Sequence, residues 1–161
     1  MSIHFKCDRD TLLKGLSTVE KAVELRNIKP ILEGVYIQAK RDGIVLKATN
    51  LSLSIETMVE GDVVSEGEIV VSARVFYEIL SKYTAGMIDF DMEEENRLKI
   101  SNNHSKTQLS VMDAAEFPGF PLVPEKGAIV LPQNVFKQML ATTIFSAAIS
   151  DARPILKGVL M

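Results

Sequence analysis

Residues 29–37 read KPILEGVYI and residues 153–161 read RPILKGVLM, an offset of 124 positions. The same offset holds upstream without a gap: Phe5 aligns with Ile129, Leu12 with Phe136, Leu16 with Leu140 and Thr18 with Thr142. A strand, a helix, a basic loop and a second strand thus open the chain twice. The second copy stops at Met161, in the middle of what reads as a strand the first time. A fixed period of self-similarity marks a repeat architecture. Here the period is a whole domain. The chain reads as one unit with its linker, residues 1–125, followed by the beginning of another, residues 126–161.

A second level of repetition lies inside the first unit. Residues 2–7 alternate Ile3, Phe5 and Cys7 with Ser2, His4 and Lys6, the pattern of a half-buried strand. Asp8 or Asp10 can cap a helix running to about Val23, whose apolar stripe is Leu12, Leu16, Val19 and Val23. Three strands follow, at 31–39, 44–49 and 51–60. The Asp42-Gly43 pair turns the first hairpin, and Leu51, Leu53 and Ile55 alternate with polar residues in the third strand. The order then starts again: strand 68–72, helix 73–84 with Phe76, Ile79, Leu80 and Tyr83 on one face, and strands 87–92, 97–102 and 105–112. The fold class is therefore α+β. A strand-helix-three-strand unit is duplicated, with antiparallel sheets outside and two helices per domain. The proline-bearing stretch 113–126 reads as an extended linker, and a third helix is expected at 132–146.

Bulk properties narrow the function. A hydrophobic fraction of 47% and a charged fraction of 24% are ordinary for a soluble globular protein. No apolar run is long enough to span a bilayer, and MSIHFKCDRD has no signal-peptide pattern, so a cytoplasmic setting without membrane contact is expected. The single cysteine, Cys7, rules out an internal disulfide framework and fits a reducing compartment. A net charge of −3 disfavours tight binding of nucleic acid through phosphate neutralisation alone.

Catalytic signals are sparse. His4 and His104 are isolated, without a second ligand at metal spacing, and no phosphate-binding loop or nucleophile elbow is present. The acidic run Asp89, Asp91, Glu93, Glu94, Glu95 reads either as a solvated hairpin tip or as a divalent-cation site of a nuclease. The surrounding sequence favours the tip, so no enzyme, metal or cofactor is expected. Basic residues are more suggestive. Lys14 and Lys21 fall on the outer face of the first helix and Arg74 and Lys82 on that of the second, while Lys137 lies on the third nearer its apolar margin. Arg26 and Lys29 follow the first helix, and Arg153 takes the place of Lys29 in the repeat. Helices facing one way would make these a diffuse positive lining that meets phosphates weakly and without sequence preference.

The segments DRDTLLKGLSTVEKAV, KPILEGVYIQA, ATNLSLSIE, VSARVFYEIL, LSVMDAAEFPGFP and SDARPILKGVLM, taken in order, resemble the bacterial DNA sliding clamp, the beta subunit of DNA polymerase III. The resemblance covers essentially the whole chain. It implies a DNA-clamp fold with helices lining a pore, three such domains per polypeptide, and two polypeptides closing head to tail around duplex DNA. It also implies, as partners, double-stranded DNA, a second copy, the polymerase III catalytic subunit and a clamp loader. By position, Arg26 and Arg153 match DNA-contacting residues of the pore, with Lys14, Lys21 and Lys82 on its wall. Ile79, Tyr83, Thr107 and Leu109 match the subunit interface, and Leu156 one wall of the client-peptide pocket. A truncated clamp-like module that binds the loader or another clamp without encircling DNA is the alternative.

Overall fold

The halves of the first unit are woven together. In a computed structural model that describes residues 3–23, 29–94, 96–120, 127, 129–150 and 153–160, the chain divides into two compact units, Met1–Phe120 and Pro121–Met161. The first contains β1 (His4–Asp8), α1 (Arg9–Val19), β2 (Gly34–Lys40), β3 (Gly43–Thr49), β4 (Ser54–Val59) and β5 (Asp62–Ser65). It continues with β6 (Gly67–Ser72), α2 (Ala73–Lys82), β7 (Met87–Glu94), β8 (Arg97–Ser101) and β9 (Lys106–Ser110). Two sheets result, ordered β5-β1-β7-β8-β9 and β4-β3-β2-β6, with every pairing antiparallel. The opening strand of each half lies in the other half's sheet: β1 pairs with β7, and β6 with β2. The duplication read from the sequence therefore makes an exchanged pair rather than two beads.

Local chemistry sets the elements. Asp8 caps α1, its carboxylate accepting from the amides of Asp10 and Thr11 at 3.1 and 3.0 Å. The helix ends at Val19, and its last turn tightens to a 3-10 turn, Glu20–Ala22, rather than running on to Val23, which is extended. Leu12, Leu16 and Val19 are buried and join Phe76, Leu80 and Tyr83 of α2 in one core with the inner faces of both sheets. Phe5 stacks on Phe90 with centroids 4.7 Å apart, and Phe76 meets Phe90 edge-on at 6.0 Å. Gly15 lets α1 lie directly on β4, since a Cβ there would stand 2.5 Å from Val59 Cγ1.

Several expectations are corrected. Residues 30–33, expected as strand from Ile31, form a 3-10 turn with Pro30 in its first turn, and β2 starts only at Gly34. Residues 51–53 are not strand. Asn50 Oδ1 accepts from the amides of Ser52 and Leu53, and Leu51 adopts φ +73°. Leu51 and Leu53 are thus exposed in a turn instead of alternating into the core. The short strand β5 was not expected; it adds to the free edge of β1.

A second apolar cluster covers the other face of the four-stranded sheet. Ile31, Leu32, Val70 and Ala114 are buried there, with Tyr36, Met112 and Phe117 packed against them. The sheet is consequently buried on both faces near β6, which explains the unbroken run Ile69-Val70-Val71.

In the second unit, α3 covers Gln133–Ala141, shorter than the expected 132–146. The hydroxyls of Thr142 and Thr143 bond back to carbonyls of Gln138, Met139 and Leu140, and a 3-10 turn, Ile144–Ser146, follows. The repeated motif forms the same 3-10 turn, Pro154–Lys157. Its apolar residues are bare: Leu156 is 52% exposed, whereas its repeat counterpart Leu32 is 1% exposed.

Candidate nucleic-acid interface

α1 and α2 lie side by side on the first unit, so their outward faces form one surface. Lys14, Lys21 and Lys82 are all exposed there, and their ammonium groups have no ion-pair partner among the described residues. Both arginines of these helices are engaged. Arg9 pairs with Asp10 at 2.7 Å and donates to the Tyr83 carbonyl at 3.0 Å, joining the start of α1 to the end of α2. Arg74 pairs with Glu78 one turn on, at 3.0 Å. Glu20, Val23, Ala73, Arg74, Tyr77 and Glu78 line a groove of about 280 Å³ between the helices. Carboxylates therefore alternate with the basic side chains on this surface.

Arg26 lies outside the described residues. Arg153 belongs to the second unit, where it is exposed and opens the Pro154–Lys157 turn, accepting the Leu156 amide on its carbonyl at 3.0 Å. Leu156 in turn accepts the Ala148 amide at 2.8 Å. Sequence reasoning missed Val75 and Tyr77, each 41% exposed on α2. Their signal was present, because both are apolar residues off the stripe Phe76, Ile79, Leu80 and Tyr83.

The expected interface residues divide by depth. β9 is an outer strand, bonded to β8 with Thr107 opposite Ile100 and Leu109 opposite Leu98. Tyr83 is 5% exposed and its hydroxyl donates to the Ile100 carbonyl at 2.7 Å, so it backs this edge from inside. Leu109 is buried as well, while Ile79 is half-buried against the core and Thr107 half-exposed. Tyr83 and Leu109 therefore shape the edge, and Thr107 and Ile79 reach its surface.

The acidic run is redistributed. Asp89 and Asp91 stand in the middle of β7, not at a hairpin tip, with Lys6 and His4 opposite them on β1. His4 Nε2 lies 2.8 Å from Asp89 Oδ1, and Lys99 of β8 is opposite Asp91. Lys6 with Asp89 and Lys99 with Asp91 are cross-strand neighbours of opposite charge on one sheet face, and His4 hydrogen-bonds to Asp89 beside them. Among the described residues, no three His, Cys, Asp or Glu side chains come together in a way that could hold a metal ion. Burial, helped by the charge of Asp8, pushes the Cys7 thiol up to about 11, and its sulfur donates to the Glu60 carbonyl at 3.1 Å. Among the described residues no helix is long and apolar enough to cross a membrane.

Comparison with known proteins gives this geometry a context. Residues 3–121 match the family model described as DNA polymerase III beta subunit, N-terminal domain. The beta sliding clamp of Halalkalibacterium halodurans is 34% identical over 165 aligned positions, which cover 98% of this chain and 43% of that protein. The beta sliding clamp of Bacillus subtilis is 32% identical, over 96% and 43% of the two chains. Among solved structures, a DNA polymerase sliding clamp from Bacillus subtilis superposes with a TM-score of 0.89 at 28% identity, covering 96% of this chain and 43% of that one. The DNA polymerase III beta chain from Streptococcus pneumoniae gives 0.88 at 26%, covering 95% and 42%. The chain spans less than half the length of the relatives it matches.

Proposed function

Because the chain belongs to the DNA polymerase III beta subunit family, we propose that it is the first domain, and the opening of the second, of a DNA sliding clamp. The observation that carries this reading is a match over 98% of the chain to a beta sliding clamp. Its role is that of a non-catalytic processivity factor. A closed ring holds duplex DNA by surrounding it, so wall contacts can stay weak enough for sliding. A polymerase tethered to the ring gains effective concentration at the primer end. This is how an acidic protein serves DNA.

In this reading Lys14, Lys21, Lys82, Arg26 and Arg153 face the duplex and meet phosphates without sequence preference. The edge formed by β9, with Thr107 and Ile79 at its surface and Tyr83 and Leu109 behind it, joins a second copy head to tail. Leu156 forms one wall of a pocket for client peptides, the polymerase III catalytic subunit among them. A clamp loader opens the ring using ATP bound elsewhere, and the setting is the cytoplasm.

The test is topological. The polypeptide as the source cells make it is loaded onto nicked circular DNA with its clamp loader, and the DNA is then linearised. Retention on the circle and loss from the linear form is the expected result. Equal retention on both means direct binding and overturns encirclement. A native mass of 17.8 kDa with no retention on the circle would instead favour the loader-binding module.

A further inference from the structure

β9 is the outer strand of the five-stranded sheet, yet the chain leaving it is tied down on the four-stranded one. Val111 donates its amide to the Asn96 carbonyl at 3.0 Å. Met112 then exchanges two backbone hydrogen bonds with Val70 of β6, at 2.8 and 3.3 Å. Asp113 caps a single turn, Ala114–Glu116, by accepting the Ala115 amide at 2.9 Å. Beyond it Phe117 lies against Tyr36 with centroids 5.3 Å apart, and Phe120 stacks on Phe117 at 6.3 Å. The Lys47 ammonium sits 5.2 Å from the Phe120 centroid while pairing with Glu56 at 2.7 Å. Tyr36 is fixed in turn by donating its hydroxyl to Glu68.

The physical consequence falls on β9. It has five residues and, among the described residues, pairs with β8 only. A short edge strand with one neighbour is marginal by itself and depends on its ends. Its start is held by the turn in which Asn102 accepts the amides of His104 and Ser105. Its end continues directly into the anchored segment. Docking of Met112, Ala114 and Phe117 into a buried apolar cluster therefore fixes where β9 must stop and which face it presents.

We infer that residues 111–120 are a strap that keeps β9 in register while its outer edge has no partner. Released from Tyr36 and the Ile31–Leu32 turn, the strap lets β9 fray from β8, whereas β1 and β7 are held by other contacts. Under the sliding-clamp reading, β9 is the edge that meets the second copy, and the strap keeps it shaped while a ring is open. Only that purpose rests on the reading; the coupling of strap to strand does not.

Amide hydrogen exchange on the full chain tests it, with Phe117→Ala as the main variant. The β9 amides bonded to β8 should exchange on the order of tenfold faster, with β1 and β7 unchanged. Acceleration confined to 112–120 overturns the inference, as does an equal rise in β1 and β7, which would report global loosening. Phe117→Leu keeps an apolar side chain in the cluster and removes the ring contacts. It gives the same pattern at smaller amplitude, and it decides the matter if the alanine variant does not fold. Failure of encirclement on circular DNA would leave this result standing, so the two readings fail separately.

Discussion

Replacing Gly34 by alanine should destabilise the first unit, while the same change at its repeat counterpart Gly158 should not. Gly34 has ordinary extended backbone, φ −94° and ψ 160°, nearly identical to Gly158 at −98° and 163°. The difference is the surroundings. A Cβ on Gly34 would stand 2.4 Å from Val70 Cγ1 and 3.0 Å from both the Ile31 carbonyl oxygen and Met112 Cε. Val70 is a stiff β-branched residue on a paired strand and the carbonyl is backbone, so little can yield. Overpacking of this kind costs about 1–3 kcal/mol. Against it, alanine lowers the entropy of the unfolded chain and contributes about 0.4–1 kcal/mol. The steric term wins, leaving a net loss of about 1–2 kcal/mol. In a unit of this size that is a fall in Tm of several degrees. At Gly158 the nearest contact is the Ile155 carbonyl oxygen at 3.8 Å, so only the entropic gain remains. Urea titration followed by far-UV circular dichroism measures both. Equal midpoints for the two variants would refute the claim that β6 and the strap sit against the first PILxG motif and that nothing comparable among the described residues covers the second. In a longer polypeptide that supplied the counterpart of β6, Gly158→Ala should become costly too.

Asp8→Ala should cost about 0.5–2 kcal/mol, because three hydrogen-bond donors of the first helical turn lose their acceptor. The Thr11 amide is the largest of several causes that hold the Asp8 carboxyl below its ordinary value of 3.8. A depressed folded-state pKa gives stability that is present above the unfolded value and is lost as pH falls through the folded one. Asp8→Asn should therefore flatten the acid limb of the stability profile below about pH 4, and an unchanged limb would count against the cap. Cys7, with its thiol pushed up to about 11 by burial, should resist Ellman's reagent at pH 8 in the folded chain and react on addition of urea. Rapid labelling of the native protein would contradict its burial. Tyr83→Phe should destabilise the isolated chain by about 0.5–1.5 kcal/mol, since a buried hydrogen bond to the Ile100 carbonyl is lost. If Tyr83 were purely a contact for a second copy, denaturation of the single chain would not change.

What the sequence disclosed depended on period. Leu12, Leu16, Val19, Phe76 and Leu80 are core, with Ile79 half-buried at its margin, because a helix face repeats often enough to be read. Asp42-Gly43 marked a tight hairpin, with Lys40 paired to Gly43 and Gly43 at φ +139°. Leu51 and Leu53 misled, because alternation over three residues cannot be told from a turn in which an asparagine side chain replaces a ladder partner. Phe117 and Ala114 were hidden differently. Their partners, Tyr36 and Leu32, lie some eighty residues away in sequence, and nothing local distinguishes such a strap from a linker. At the candidate interface the lysines were legible as outer-face residues. Arg74 reads there as a free cation, whereas it pairs with Glu78 one turn on, and the contact of Arg9 with the Tyr83 carbonyl needs the two helix ends to meet.

The pairing pattern on the helical surface bears on how a ring could slide. Arginine grips a phosphate with two parallel hydrogen bonds in a fixed fork, whereas lysine is a point charge that exchanges partners without reorienting. On α1 and α2 the guanidinium groups of Arg9 and Arg74 are occupied by Asp10 and Glu78. Among the described residues of α1, α2 and the turn after α1, the ammoniums of Lys14, Lys21 and Lys82 have no ion-pair partner, and under the proposed reading they are the groups that meet phosphate. Under that reading each such contact adds about 0.9 to the salt slope of DNA binding, enough to keep a duplex near the wall. Its energy hardly depends on which phosphate is met, so successive positions along the duplex are nearly equal and the barriers between them low. The intrahelical ion pairs thus do more than stabilise α1 and α2. Under the sliding-clamp reading proposed above, these exposed pairs compete with phosphate for the two guanidinium groups of α1 and α2.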